Sequence, residues 1–316
     1  MYGTLAVIIG ISTAFFAAIL WFLGISSILL LVVLVSFFNV LQWLFAPYII
    51  KALYRVKEVK PEDSPELHRM VDRLATKSGI KKPKLEIANI PIPNAFAYGS
   101  PIAGSHVAVT QGLLDTLDGE EVEAVVGHEF GHLKHRDVQI MMLVSFLPAL
   151  FSIIGRSAML STLYGGRSNK DGGSSAALLI GMASMLIYFV LTLFTLGLSR
   201  LREYYADRHS ASVVDEGSRK LSEGLAKIVS KTGRMRARRQ PEAFAFNGFK
   251  SLFISDPDRA EVDSAQIAQH APGLSDQTLV EDLMRKRVTS ADRLLELLST
   301  HPNVTKRLKA LKALEA

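Results

Sequence analysis

The first fifty residues contain no Asp, Glu, Lys, Arg or His, and nothing else in the chain restricts its fold so strongly. A hydrocarbon layer about 30 Å thick needs about 20 apolar residues of helix to cross it. Residues 5–23 and 28–50 each meet that length, and Gly24-Ile25-Ser26-Ser27 between them allows a tight hairpin. A cleaved leader fits poorly, because no basic segment precedes the apolar run and the run continues far past the usual length. Two further candidates follow. Residues 176–198 are uncharged throughout, whereas 138–155 are fewer and carry Gln139 and Pro148. The expectation is four spans. If the third and fourth segments are instead helices of a soluble domain, two remain.

Lys and Arg near the span ends orient such a chain, because they collect on the cytoplasmic side. One side collects Lys51, Arg55, Lys57, Lys60, Lys134, Arg136, Arg200, Arg202 and Arg208; the other has Arg156, Arg167 and Lys170. The first side is therefore expected in the cytoplasm, giving a multi-pass protein of the cell (inner) membrane. The net charge of +6 then reads as flank charge facing anionic lipid. No nucleic-acid-binding pattern, nucleotide-binding glycine pattern or internal repeat is present. The lack of cysteine excludes disulfides and thiolate metal sites and suits a reducing compartment.

The second constraint is chemical. His128, Glu129 and His132 form H-E-x-x-H within VVGHEFGHLKHRD at 125–137. Residues four apart share one face of an α-helix, about 6 Å apart along its axis. Two imidazoles so placed can each give a ring nitrogen to one metal ion. A single zinc ion is expected, because zinc takes nitrogen ligands at about 2.0–2.1 Å and keeps a position open for water in catalytic sites. Glu129 is then the candidate general base for a water acidified by the metal.

The surrounding pattern supplies the helix this motif needs. Asp118 with Glu121 three residues on makes a capping box, and the helix is expected over 119–135. Before it, 61–79 reads as a helix capped by Ser64, opened by Pro65 and ended by Gly79. Residues 84–90 and 106–110 read as strands, and the prolines of 91–99 restrict that segment to an edge strand or a loop. Such an edge could hold an extended peptide by strand addition, or be an ordinary edge. Further helices are expected at 219–231, 278–287, 291–298 and 303–315. The basic run 234–239 reads as a solvated loop or a lipid head-group contact, and 252–272 as a mobile loop. The fold class is α+β, mostly helical, with a small mixed sheet.

A catalytic zinc needs a third protein ligand. His135 shares a face with His128, but at about 10.5 Å along the axis it cannot converge on the same ion. It is expected to be solvated or to neighbour the ligands. Glu203 and Asp207 are four apart and follow the last candidate span on the same membrane side as His128. One such carboxylate can ligate while the other orients a ligating imidazole. The alternative is a solvated acidic pair balanced by Arg202 and Arg208.

Several stretches together resemble the HtpX-type membrane zinc metalloproteases, relatives of the CAAX prenyl endopeptidases. They are the N-terminal hydrophobic hairpin, Pro93-Asn94-Ala95-Phe96-Ala97, GHEFGHLKHRD at 127–137, the second hydrophobic pair, REYYAD at 202–207 and STHP at 299–302. The resemblance covers nearly the whole chain. It implies a zincin-like (gluzincin) domain with zinc on His128, His132 and Glu203, Glu129 as base and Asp207 behind the ligands. It also implies that Asn94, Ala95, Phe96 and Ala97 lie on the substrate-binding edge, and that His301 and Arg307 help stabilise the transition state. By their own sequence context, His301 could equally start a helix and Arg307 be a surface charge. The implied role is quality control of membrane proteins, often linked to stress.

The expected organisation is a transmembrane hairpin (1–50), a first cytoplasmic catalytic part (51–137), a second hydrophobic pair (138–199) and a second catalytic part (200–316). The expected partners are protein or peptide substrates, membrane proteins among them, and the lipid bilayer. Two other functions compete. One is a prenyl-protein endopeptidase, distinguished by a need for a lipidated C-terminal motif. The other is a non-enzymatic membrane adaptor with structural zinc, disfavoured because structural zinc sites are closed by protein ligands.

Overall fold

The computed structural model describes residues 15–17, 19–20, 24, 27–164, 173–238, 254 and 275–315. Most of the expected 5–23 span, most of the 252–272 loop, and Arg167, Lys170 and Arg239 lie outside the described residues.

Elements follow in chain order. Helix α1 is Ile28–Leu53, then strand β1 Val56–Glu58, α2 Pro65–Ser78, β2 Lys84–Ala88, β3 Ala95–Ser100 and β4 Gly104–Thr110. A short α3, Gln111–Leu114, leads to α4, Gly119–Lys134, then α5, Asp137–Tyr164, and α6, Gly173–Val213. The C-terminal third holds α7 Gly217–Ala237, α8 Asp276–Arg285, α9 Ser290–Leu297 and α10 Val304–Lys312. The described residues are thus mostly helical with one small sheet.

The caps explain where these helices begin and end. The Asp118 side chain accepts from the Glu120 and Glu121 N–H groups, and Glu121 reaches back to the Asp118 N–H. Two orphan donors are satisfied reciprocally, which places the start of α4. Helix α2 starts at Pro65 rather than 61, and its Ser64 makes no capping hydrogen bond. Gly79 ends it in the left-handed conformation at φ 68°, which glycine adopts without steric cost. The basic run is a correction. Residues 234–237 are the last turn of α7, not a loop, because arginine is a good helix former and a cation is favoured at a helix C-terminus.

The chain divides into two compact units, residues 1–43 with 139–198, and 44–138 with 199–316. In the first, Leu20, Leu31, Val35 and Ile153 form an apolar cluster. Helix α5 runs through Pro148, well beyond the expected 155, and the Arg156 guanidinium finds Ser152 Oγ one turn back at 3.0 Å. Two helical stretches among the described residues, Leu29–Leu53 and Ser175–Val213, are long and apolar enough to cross a membrane.

The second unit is built on a sheet of order β1-β2-β4-β3. β1 and β3 run antiparallel to their neighbours, and β2 and β4 are parallel. β3 is an edge, in register Ala95 with Val109 and Ala97 with Val107. The apolar run Val107-Ala108-Val109 shows that β4 is covered on both faces. Val107 and Val109 join Leu74, Val125, Phe130, Leu225 and Leu308 from the helices. Ala108 joins Ile50, Tyr54, Phe96 and Tyr98 on the other side. The main core therefore lies between the sheet and α4, and α4 is held rigidly against it.

Candidate active site

Helix α4 carries His128, fully buried, and Glu129, 5% exposed, with His132 one turn on. The two rings meet edge to face at 4.8 Å between centroids. Their far nitrogens are held by carboxylates: His128 Nδ1 lies 2.8 Å from Asp207 Oδ1, and His132 Nδ1 lies 2.6 Å from Asp137 Oδ2. A carboxylate partner assigns the proton to each Nδ1, which leaves a lone pair on each Nε2. These two Nε2 atoms face each other at 3.2 Å. Two ring nitrogens so close can share a proton or a metal ion between them.

Helix α6 supplies the third group. Glu203 Oε2 lies 3.6 Å from His128 Nε2, and Glu203 Oε1 lies 3.6 Å from His132 Nε2. Glu203 is buried, and its Oε2 makes no hydrogen bond among the described residues. Ligands at about 2.0–2.1 Å around a tetrahedral zinc are separated from each other by about 3.3–3.4 Å. The two imidazole nitrogens at 3.2 Å have about that spacing, and each lies 3.6 Å from one of the two Glu203 oxygens, so the residues fit the metal. Glu129 also lies within 4.8 Å of both imidazoles, but its Oε2 accepts the Ala97 N–H at 2.8 Å. That hydrogen bond turns it towards the edge of β3, whereas Glu203 faces both Nε2 atoms.

The electrostatics follow from burial and these partners. Burial alone would lower the His128 imidazole, yet the carboxylates of Asp207 and Glu203 beside it outweigh burial and raise it to about 9. A proton thus competes with a metal for this ring. Burial raises the Glu129 carboxyl above its ordinary value, against the pull of His132 and His128. That makes it a stronger base than a solvated glutamate.

Arg307 is not a surface charge. It is 1% exposed and grips Asp207 with two nitrogens, Nε at 2.9 Å and Nη2 at 2.6 Å. Its Nη1 donates to the Ile254 carbonyl at 2.7 Å and lies 3.4 Å from Glu203 Oε2. His301 Nδ1 also lies 3.4 Å from Glu203 Oε2, and neither ring nitrogen makes a hydrogen bond among the described residues. His301 is therefore available to a ligand, whereas Arg307 is committed to holding carboxylates.

The segment 94–97 contributes mainly backbone. Asn94 is buried, and its Oδ1 accepts from the Ile254 N–H at 2.9 Å. Ala95 and Phe96 are buried in the two cores. The Ala97 N–H points away from β4 to Glu129. His135 caps the end of α4, with its ring 6.1 Å from those of Tyr205 and His209, apart from the metal-facing atoms.

Two groups escaped the sequence reading. Asp137, just past α4, holds His132 and is itself held by Arg202 Nε at 3.0 Å. Its only sequence signal is an acidic residue directly after the motif helix. Arg200, which looked like membrane flank charge, donates to the carbonyls of Glu296, Leu297 and Ser299 at 2.8, 3.2 and 2.9 Å. It gathers the end of α9 beside His301, and nothing in the sequence pairs them.

The close approach of α4 and α6 rests on small residues. A Cβ at Gly131 would lie 2.8 Å from Ala206 Cα, and one at Gly127 would lie 3.2 Å from Ser210 Oγ. Ser210 Oγ donates to the Ala124 carbonyl at 2.6 Å, tying the helices one turn further along.

Comparisons with known proteins found similar chains. The profile of Peptidase family M48 matches residues 61–315. A protein described as a Protease HtpX homolog from Thermoplasma acidophilum is 37% identical, covering 94% of this chain and 90% of its own length. One from Aeropyrum pernix is 40% identical over 86% of this chain and 82% of its own. Among solved structures, Ste24p of S. mikatae matches with a TM-score of 0.51 at 16% identity. The match covers 98% of this chain but 62% of that one, so the chain spans under two thirds of that structure and the likeness is one of fold.

Proposed function

The chain belongs to peptidase family M48, and on that premise we propose that it is a membrane-bound, zinc-dependent endopeptidase acting on misfolded or damaged membrane proteins. As a member of the family it is a metallopeptidase. The observation that supports the zinc site is the trio of His128 Nε2, His132 Nε2 and Glu203, in which the nitrogens lie 3.2 Å apart and each lies 3.6 Å from one Glu203 oxygen. Zinc held by His128, His132 and Glu203 would supply Lewis-acid chemistry, polarising the scissile carbonyl and acidifying water. As the attacking water adds to the carbonyl carbon, Glu129 would take its proton and deliver it to the amine as the C–N bond breaks. Its hydrogen bond from Ala97 ties that proton transfer to the substrate edge.

His301 donates to the oxyanion that develops on the scissile carbonyl. Arg307 acts through Asp207 and Glu203 by keeping both ionised and oriented. The open edge of β3 holds an extended substrate by main-chain hydrogen bonds, which suits a peptidase of broad sequence taste. The remaining organisation is proposed as four spans, with 51–137 and 200–316 forming a zincin-like catalytic part in the cytoplasm of a multi-pass inner-membrane protein. The pair of long apolar helices and the basic flank at Lys51, Arg55 and Lys57 support it.

The test is cleavage of an unfolded membrane protein in lipid. A chelator should abolish cleavage and added zinc restore it, while Glu129→Gln should keep its zinc and lose about 10²- to 10⁴-fold in kcat. Wild-type turnover by that variant would sink the mechanism.

A further inference from the structure

The turn joining β3 to β4 takes no part in this chemistry, yet its make-up is unusual for an exposed tip. It reads Ser100-Pro101-Ile102-Ala103-Gly104, and Ile102 is 53% exposed. Tips of this kind normally carry polar residues, but no residue from 87 to 105 is charged.

The turn also lies along α1. Ser100 Oγ donates to the Leu44 carbonyl at 2.9 Å, inside the charge-free block. Two residues earlier on β3, Tyr98 donates to Glu86, whose Oε1 is met by Lys51 Nζ at 2.6 Å. Lys51 is the first charged residue of the chain. Two contacts thus set the direction. Tyr98 is level with the cation that closes the apolar helix, and Ser100 is level with Leu44. Those two α1 residues are about 10.5 Å apart along the axis, and the tip continues beyond Ser100. Over the same turns α1 exposes Phe45, Tyr48 and Ile49.

The membrane reading of α1 is the footing for one step more: we propose that the β3–β4 turn dips into the bilayer boundary, with Ile102 among the lipid acyl chains. A cation closing an apolar span marks the head-group level, so a tip on the apolar side of Lys51 lies below it. The backbone of the turn is prepared for a dry setting, where polar groups must be satisfied internally. Pro101 has no N–H. The Ala103 N–H donates to Ser100 Oγ at 3.2 Å, and its carbonyl accepts from His106 Nε2 at 3.1 Å. The consequence concerns substrate entry. Ala97 is three residues from Ser100, about 10 Å along the strand. A segment drawn out of the bilayer meets the open edge of β3 at the membrane surface, before it reaches bulk water.

The chain has no cysteine, so single labels are unambiguous. Ile102→Cys, Phe45→Cys and Lys81→Cys of the full chain in phospholipid nanodiscs carry an environment-sensitive fluorophore, read against lipids with a quencher on the acyl chain. The expected result is blue-shifted, quenched emission at positions 102 and 45 and neither change at 81. Quenching at 45 with position 102 behaving like 81 overturns the proposal and leaves the membrane reading standing. Position 45 behaving like 81 removes the membrane reading itself, and this inference with it. In addition, Ile102→Asp should slow cleavage of a bilayer-embedded substrate while an unfolded soluble peptide is cut at the wild-type rate. Equal rates on both, relative to wild type, would refute the link to substrate entry.

Discussion

The four carboxylates around the two histidines do different work because each touches something different. Glu203 faces both Nε2 atoms, Asp207 and Asp137 face the two Nδ1 atoms, and Glu129 is turned to Ala97. Removing the charge of a group behind a ligand typically costs 10- to 100-fold in metal affinity. Asp137→Asn should therefore weaken zinc binding by about that factor in a competition titration, even though Asp137 touches no metal-facing atom. Arg307→Met leaves Asp207 buried without its cation, a loss of about 3–5 kcal/mol by analogy with broken buried pairs. A lowered Tm and lost zinc should appear together, and Arg307→Lys should recover only part, since a single ammonium cannot match the two-nitrogen grip. Unchanged zinc content in both variants would separate Arg307 from the site. His128, Glu129 and His132 were legible in the sequence because one helical period puts them together. Asp137 was not, since a lone acid after a helix looks like any solvated charge until its partners, His132 and Arg202, are seen around it.

At the scale of elements, the site depends on how closely α4 and α6 approach. Gly131→Ala should favour the helix itself by about 1 kcal/mol, yet its Cβ would lie 2.8 Å from Ala206 Cα and force the helices apart. The expected outcome is at least about tenfold weaker zinc binding, the low end of what losing a group behind a ligand costs, with the far-UV circular dichroism unchanged. Full zinc affinity would show that the seam does not position Glu203. The start of α4 and the end of α2 were readable because their caps, Asp118 with Glu121 and Gly79, are local devices. The run 234–237 was not, because its charges suggested solvent while its place in α7 is decided by the packing of Leu221, Leu225 and Met235 on either core. The prolines of 91–99 allow an edge strand or a loop, and pairing with β4 makes a strand of 95–100 while Pro91 and Pro93 precede it.

For the whole molecule, metal binding and protonation are linked. A metal must displace the proton that the acidic neighbours hold on His128, raised to about 9. Apparent zinc affinity should therefore fall as pH falls, because below that value the protonated imidazole competes more strongly. Zinc titrations at about pH 8 and about pH 6 check the sign, and a tighter site at the lower pH would contradict it. Stripping the metal should also lower the Tm of the whole chain, since an ion that binds only the folded state stabilises it. By itself the sequence determined the apolar segments, the helix that carries His128, Glu129 and His132, and the mostly helical class. Each is written in a local period or an uninterrupted run of one residue type. Only the tertiary structure decided that Glu203 meets both Nε2 atoms, that Asp137 and Arg200 belong around the site, and that Arg307 is a buried clamp rather than a surface charge. Those contacts join segments far apart in the chain, and periodicity carries no information about which distant faces will pack. The H-E-x-x-H helix could be read alone, but its completion required the fold.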